Sequence, residues 1–167
     1  MRVVIQKVKQ ASVVVDDKII SSINKGLMIL VGISTKDTLE DVTRLTKKLL
    51  GLRIFEDISN PPSTDSVQKW NGKPWAKSLL DDPSLSVLSV SQFTLYGTIK
   101  KGTKPDFHKA AKGMDARSLY DELLNQLRIG LGSEERVKDG EFGAMMDVSL
   151  TNDGPVTIIW DTQDSTL

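Results

Sequence analysis

Leu85-Ser-Val-Leu-Ser-Val-Ser-Gln-Phe-Thr-Leu95 is the most apolar strand-like run in the second half of the chain. Val and Leu crowd it at strand length, so it reads as a buried strand. Its end departs from that pattern. Ser91, Gln92 and Thr94 stand where a buried strand ordinarily continues with aliphatic side chains, with Phe93 among them. Gly97, Lys100, Lys101, Gly102, Lys104 and Pro105 follow at once. A hydrophobic strand that ends in polar groups and opens into a basic, glycine-punctuated loop is one way to build a site on a rigid element. The plainer reading is a strand whose polar residues simply reach the sheet edge.

Strand character recurs before and after this run. Residues 2–9 and 11–15 are rich in Val and Ile and read as two strands with a short link. Asp16-Asp17 then makes a tight hairpin turn before Lys18-Ile-Ile20. Gly26 precedes Leu27-Met-Ile-Leu-Val-Gly-Ile33, a continuous apolar run that suits a strand covered on both faces. Helical spacing occurs twice. Thr38 caps a first helix with Asp41 three residues on, and Leu39, Val42, Leu45 and Leu49 line one face until Gly51. A second helix runs from about Asp115, with Leu119, Tyr120, Leu123, Leu124 and Leu127 on one face and Gly130 and Gly132 as its stop.

Arg53-Ile-Phe55 reads as a short strand, and residues 57–84 as a long irregular loop. Its turn signals are Asn60-Pro-Pro-Ser-Thr-Asp65, Asn71-Gly-Lys-Pro74 and Asp81-Asp-Pro83. Trp70 and Trp75 sit among them, either as anchors that pin the loop or with one indole stacked on a nucleotide base. Val137-Lys-Asp-Gly-Glu-Phe-Gly143 reads as a loop, and residues 144–150 and 156–160 as strands joined through Thr151-Asn-Asp-Gly-Pro155. Residues 162–167 look frayed.

Composition bounds the chemistry. A chain of 167 residues, 39% hydrophobic and 26% charged, fits one compact domain spanning residues 1–167. Formal net charge is zero, so any nucleic-acid contact has to come from a local patch. Residues 100–112 are the one strongly basic neighbourhood, with five lysines and His108 against the single acid Asp106. They read either as a solvated face or as a phosphate-backbone patch built on Lys100, Lys101, Lys104 and His108. The chain has no Cys, which excludes disulfides and thiolate catalysis, and its single His disfavours a histidine metal site. No apolar run reaches the length of a membrane span and no signal-peptide pattern opens the sequence, so a cytosolic location is expected.

Catalytic sets fall in turn. A Ser-His-acid triad would need His108 as base and Ser91 or Thr94 as nucleophile. His108 lies in a lysine-rich loop, and no Gly-x-Ser-x-Gly surrounds Ser91. Neither a Walker nor a dinucleotide glycine motif is present. What remains is a site rich in hydroxyls and backbone donors and poor in strong bases. Asn152-Asp-Gly-Pro155 adds a second feature. It is a good hairpin turn, or else a corner where Pro155 carries a cis bond and Gly154 lets carbonyls approach a ligand closely.

Ser91-Gln-Phe-Thr-Leu95 together with Asn152-Asp-Gly-Pro-Val-Thr157 resembles the two signature motifs of D-aminoacyl-tRNA deacylases. The opening Val4-Ile-Gln-Lys-Val-Lys-Gln-Ala-Ser-Val-Val-Val15, Arg53-Ile-Phe55, Lys104-Pro-Asp-Phe-His108 and Lys138-Asp-Gly-Glu-Phe-Gly-Ala144 are similar to that family too. The likeness runs in order over roughly residues 1–161. Residues 57–84 depart from it, being longer than the family's usual link and carrying extra Pro, Ser and Asp.

The resemblance implies an α/β fold of the α+β type: a strongly curved, mainly antiparallel, barrel-like sheet with two main helices. It implies chiral proofreading, the hydrolysis of the ester joining a D-amino acid to the 3′-terminal adenosine of tRNA, by a homodimer without metal or other cofactor. Each site would take Ser91, Gln92, Phe93 and Thr94 from one subunit and a Gly154-cis-Pro155 corner from the other. Backbone N–H groups around Gln92 and Phe93 would stabilise the oxyanion. Thr94 would seat the adenosine or the ester. Carbonyls of Gly154 and Pro155 would hold the substrate's amino group and exclude an L side chain by clash. The ribose 2′-hydroxyl would assist the chemistry. Phe142 and Met146 match pocket-lining positions, and Lys7 matches a basic residue that braces the corner. Glycyl-tRNA would be a further substrate, since glycine has no side chain to reject. The rival readings are an esterase acting through Ser91 or Thr94, and a non-catalytic nucleic-acid-binding module using the Lys100–Lys112 patch.

Overall fold

One strand organises the sheet. In the computed structural model, which describes residues 1–59, 71–100 and 102–164, β1 (Arg2–Val15) is continuous, not two strands with a link. Its first half pairs antiparallel with β3 (Gly26–Gly32), and its second half with β2 (Lys18–Ile23) across the Asp16-Asp17 turn. Both turn aspartates have positive φ, 47° and 60°, the geometry that matches the twist of a two-residue hairpin. Along its other edge β1 pairs antiparallel with β8 (Asp147–Asp161). On the far side of β3 come β6 (Ser86–Ser91) and β7 (Val137–Asp139), both parallel. The Ser21 hydroxyl donates to the Asp139 carbonyl at 2.7 Å, tying β2 to β7 and curling the six-stranded sheet toward a barrel.

Two helices cover this sheet, α1 (Leu39–Gly51) and α2 (Gly113–Leu131). The period of two in β3 divides its apolar run between two cores. Leu27, Ile29 and Val31 join the helices' Val42, Leu45, Leu123 and Leu127. Met28 and Leu30 turn the other way, to Val8, Val13, Leu88 and Val90 inside the curl. A strand covered on both faces is what the unbroken apolar run requires. The second helix stops at Gly132, whose φ of 62° suits the left-handed cap, with its N–H and that of Ser133 bonded to Ile129 and Arg128 carbonyls. No helix of the described residues is long and apolar enough to cross a membrane.

Several elements differ from the sequence reading. The strand expected over residues 85–95 ends at Ser91, and Phe93–Tyr96 form a 3-10 turn. Residues 137–139 pair as β7 where a loop was expected. Phe55–Asp57 form β4, beginning two residues later than expected. Within the supposed loop, Lys73–Lys77 form β5, which pairs antiparallel with β4 and carries Trp75 half exposed. Residues 60–70, with Trp70, lie outside the described residues. The Asn152–Pro155 segment is no hairpin turn, because the residues on both sides of it pair with the same strand, β1.

Thr162, expected in a frayed tail, is buried. It accepts a hydrogen bond from the Met1 ammonium and donates to Asp41 Oδ1 at 2.6 Å. Asp41 also accepts from the Thr38 N–H at 3.0 Å and the Gln163 amide at 2.7 Å. Burial alone would raise the Asp41 carboxyl. The bonds from Thr162 and Thr38 and the nearby Met1 ammonium outweigh it and hold the group below its ordinary value. A depressed folded-state value contributes stability that is present at neutral pH and lost as pH falls through it. Asp41→Asn is therefore expected to cost about 1 kcal/mol at pH 7. The gap to the wild type should close below about pH 4, as read by urea melts at both pH values.

Candidate active site

The polar end of β6 is turned outward by a change of local structure. The Gln92 N–H still follows the ladder, donating to the Val31 carbonyl at 2.7 Å. The chain then tightens, with Leu95 N–H on the Gln92 carbonyl at 3.2 Å and Gly97 N–H on the Thr94 carbonyl at 2.9 Å. As at any helix start, the first N–H groups are left over. Those of Phe93 and Thr94 have no acceptor among the described residues. Both side chains are exposed, and the Gln92 amide donates to the Thr94 hydroxyl. Gly32 lets this turn pack down, since a Cβ there would lie 2.9 Å from Leu95 Cβ and 3.2 Å from the Gln92 carbonyl. Arg2 fixes it from beside, with Nη1 on the Leu95 carbonyl at 2.9 Å and the guanidinium 5.0 Å from the Tyr96 ring. Burial, then Asp37 and Asp161, push the Tyr96 phenol up, so it stays protonated.

The basic loop is anchored to the same turn. Thr98 and Asp106 exchange N–H···O bonds of 2.8 and 2.9 Å, closing the excursion that carries the exposed Lys100 and Lys104. Lys101 lies outside the described residues. Phe107 then packs edge-on against Phe93, ring centroids 5.0 Å apart, and fills the space a side chain at Gly97 would need. His108 is exposed. Its backbone N–H and its Nδ1, 2.5 Å from Oδ2, hold the Asp106 carboxyl below its usual range. No hydrogen bond joins His108 to Ser91 or Thr94 among the described residues.

Phe142 and Met146 pack on different cores, Phe142 on the one beneath the helices and Met146 on the one inside the curl. The Phe142 ring lies 5.7 Å from that of Tyr120, whose hydroxyl donates to the Ser89 hydroxyl at 3.0 Å. Met146 packs over Gly140 beside Val90. Among the described residues, no group of His, Asp and Glu stands together so as to hold a metal.

The Gly154-Pro155 corner is a separate feature. The β1–β8 register runs through Gln6–Thr157 and resumes at Val8–Asn152. Lys7 alone therefore faces Asp153, Gly154, Pro155 and Val156, and the surplus forms a bulge. The Gly154-Pro155 bond is cis, Gly154 has a φ of 126°, and both residues are exposed. Lys7 is fully buried beneath them. Its Nζ lies 2.5 Å from Glu56 Oε1 and 3.2 Å from Asp153 Oδ2, with the Phe55 ring 5.9 Å away. The family resemblance named Lys7, but neither Glu56 nor Asp153 was named as its partner from the sequence. A lysine at an inward position of a strand was the signal, because a buried ammonium demands carboxylates.

The two features lie far apart in one chain. Gln92 follows Ser91, which pairs with Val31, so it stands level with Arg2. From Arg2 to Lys7 is about 16 Å along β1. The corner is also on β8, three strand spacings from β6, about 14 Å across the sheet.

A family model described as D-Tyr-tRNA(Tyr) deacylase matches residues 4–161. The chain belongs to the D-aminoacyl-tRNA deacylase family. It is thereby an enzyme of the ester-hydrolase class. A relative from Saccharomyces cerevisiae, the D-aminoacyl-tRNA deacylase, is 56% identical over 162 residues, covering 97% of this chain and 99% of its own. A solved structure described as c-Myc DNA Unwinding Element Binding Protein superposes with a TM-score of 0.82 at 42% identity, covering 96% of this chain and 98% of its own. Another, of a probable eukaryotic D-amino acid tRNA deacylase, gives a TM-score of 0.76 at 22% identity over 95% of this chain and 97% of that one, which bears on the deacylase fold. The curved sheet with two helices expected from the sequence is the fold this deacylase adopts.

Proposed function

We propose that the chain, acting as a single domain in a cytoplasmic homodimer, hydrolyses the ester of D-aminoacyl-tRNA at a site shared between subunits. One subunit supplies the 3-10 turn, where the unpaired N–H groups of Phe93 and Thr94 receive the ester oxyanion, with Ser91 and Gln92 beside them. The other supplies the Gly154-Pro155 corner, which holds the amino group and rejects an L side chain by clash. Phe142 and Met146 wall the pocket. Lys100, Lys101, Lys104 and His108 meet the tRNA backbone from a loop anchored on Phe93 through Phe107. With no base poised on Ser91 or Thr94 among the described residues, the substrate's own 2′-hydroxyl assists. Glycyl-tRNA fits the same site.

The observation that carries this reading is the separation of the two features on opposite sides of β1. A chain cannot fold its own corner onto its own turn, whereas a two-fold pair can exchange them. Subunit mixing tests it. Phe93→Pro removes one donor N–H at the first position of the turn, where proline's φ is tolerated. Gly154→Ala displaces the corner. Each variant alone is expected to be inactive on D-aminoacyl-tRNA. Refolded together at equal amounts, they should recover about a quarter of wild-type activity, because half the dimers are mixed and each has one intact site. No recovery means that each site is built within one chain. A trapped acyl-enzyme would instead favour the Ser91 or Thr94 esterase, and binding of tRNA without hydrolysis the nucleic-acid-binding module.

A further inference from the structure

We infer that Glu56 is a positioning residue of the candidate site, setting the Gly154-Pro155 corner through Lys7. This deepens the function proposed above and rests on it for its activity readout. At the corner four residues of β8 face the single residue Lys7. A ladder interrupted in that way cannot fix the projecting segment by main-chain bonds, so side chains must do it. Asn152 contributes a long bond, Nδ2 to Gln6 Oε1 at 3.3 Å. Asp153, directly before Gly154, takes the Lys7 ammonium at 3.2 Å.

Lys7 is fully buried, and a buried ammonium stays where its carboxylates hold it. The nearer one belongs to Glu56, at 2.5 Å. Glu56 lies on β4, in the two-stranded ribbon and outside the main sheet. Its second oxygen is 3.7 Å from Lys25 Nζ, so the ribbon carboxylate is held from two sides. Charges alternate along the row Lys25, Glu56, Lys7, Asp153, and the row ends at the corner. With the charge at Glu56 removed, Lys7 closes on Asp153 and draws the corner inward. The contacts that exclude one enantiomer then change, while the 3-10 turn on the other side of β1 stays as it was.

The test compares Glu56→Gln, which keeps the shape and removes the charge, with Glu56→Asp, which keeps the charge one methylene short. The readout is kcat/KM for a D-aminoacyl-tRNA divided by that for its L counterpart. Glu56→Gln should lower this ratio about tenfold, and Glu56→Asp by less. In 15N-labelled protein the Gly154 amide resonance should move in Glu56→Gln and partly return in Glu56→Asp, which a general loss of stability would not produce. A folded Glu56→Gln protein with the wild-type ratio and an unmoved Gly154 amide overturns the inference. Should Glu56→Gln fail to fold, Glu56→Asp carries both readouts. If the wild-type chain leaves D-esters intact, the proposed function fails. The Gly154 amide then decides alone whether Glu56 sets the corner.

Discussion

Gly154→Ala is expected to lower kcat/KM on a D-aminoacyl-tRNA by at least about 100-fold while the folded protein persists. Gly154 has a φ of 126°, a backbone conformation that side chains rarely adopt, and a Cβ there would lie 2.9 Å from Val156 Cγ2 and 3.0 Å from the Val156 nitrogen. Alanine costs about 1–3 kcal/mol if the conformation is kept. The alternative is cheaper: the exposed bulge rotates away from its position, because the ladder does not hold it there. A displacement of about 1 Å at a catalytic clamp is worth about 100-fold in rate. Discrimination between D- and L-esters should shrink at the same time, since a displaced corner no longer meets the L side chain. Steady-state kinetics on both enantiomers, with the melting temperature as control, check it. Undiminished turnover would remove the corner from the site.

The largest effect on stability is expected at Lys7. Lys7→Met keeps the length and apolar stem of the side chain and takes away the ammonium. Glu56 and Asp153, 11% and 21% exposed, are then left facing each other without it. Breaking a buried pair by removing one partner costs about 3–5 kcal/mol, and Lys25, 3.7 Å from Glu56 Oε2, places this loss at the lower end. A domain of this size is stable by about 5–15 kcal/mol in all, so the loss is a large fraction. Urea unfolding at fixed protein concentration should show the midpoint falling with an unchanged slope. A loss below about 1 kcal/mol would mean that Lys7 is held mainly by its packing on Phe55.

The elements that one segment determines by itself were legible. Thr38 and Asp41 begin α1 and Gly132 ends α2 because caps are local chemistry. The apolar run after Gly26 is a doubly covered strand because both of its faces carry aliphatics. What failed depends on partners distant in sequence. Val137–Asp139 become a strand only because β6 offers an edge, and Lys73–Lys77 because β4 does. Phe93–Tyr96 have strand-like side chains, yet Gly32 and Arg2 pull them into a 3-10 turn. At the candidate site, residues within the two motifs were named from the sequence. Glu56 was not, because its link to Lys7 crosses from the ribbon to the main sheet.

The pairing of β1 with β8 also has a kinetic side. Residues 2–14 wait for residues 147–161, which are synthesised long after them. Contacts this distant in sequence close slowly, since the loop entropy is lost before the pairing returns it. Until then the outer edge of β1 is an open template for a strand of any neighbouring chain. The same late event shuts that edge and raises the Gly154-Pro155 bulge. A nascent chain therefore acquires its corner only as the edge of β1 is covered.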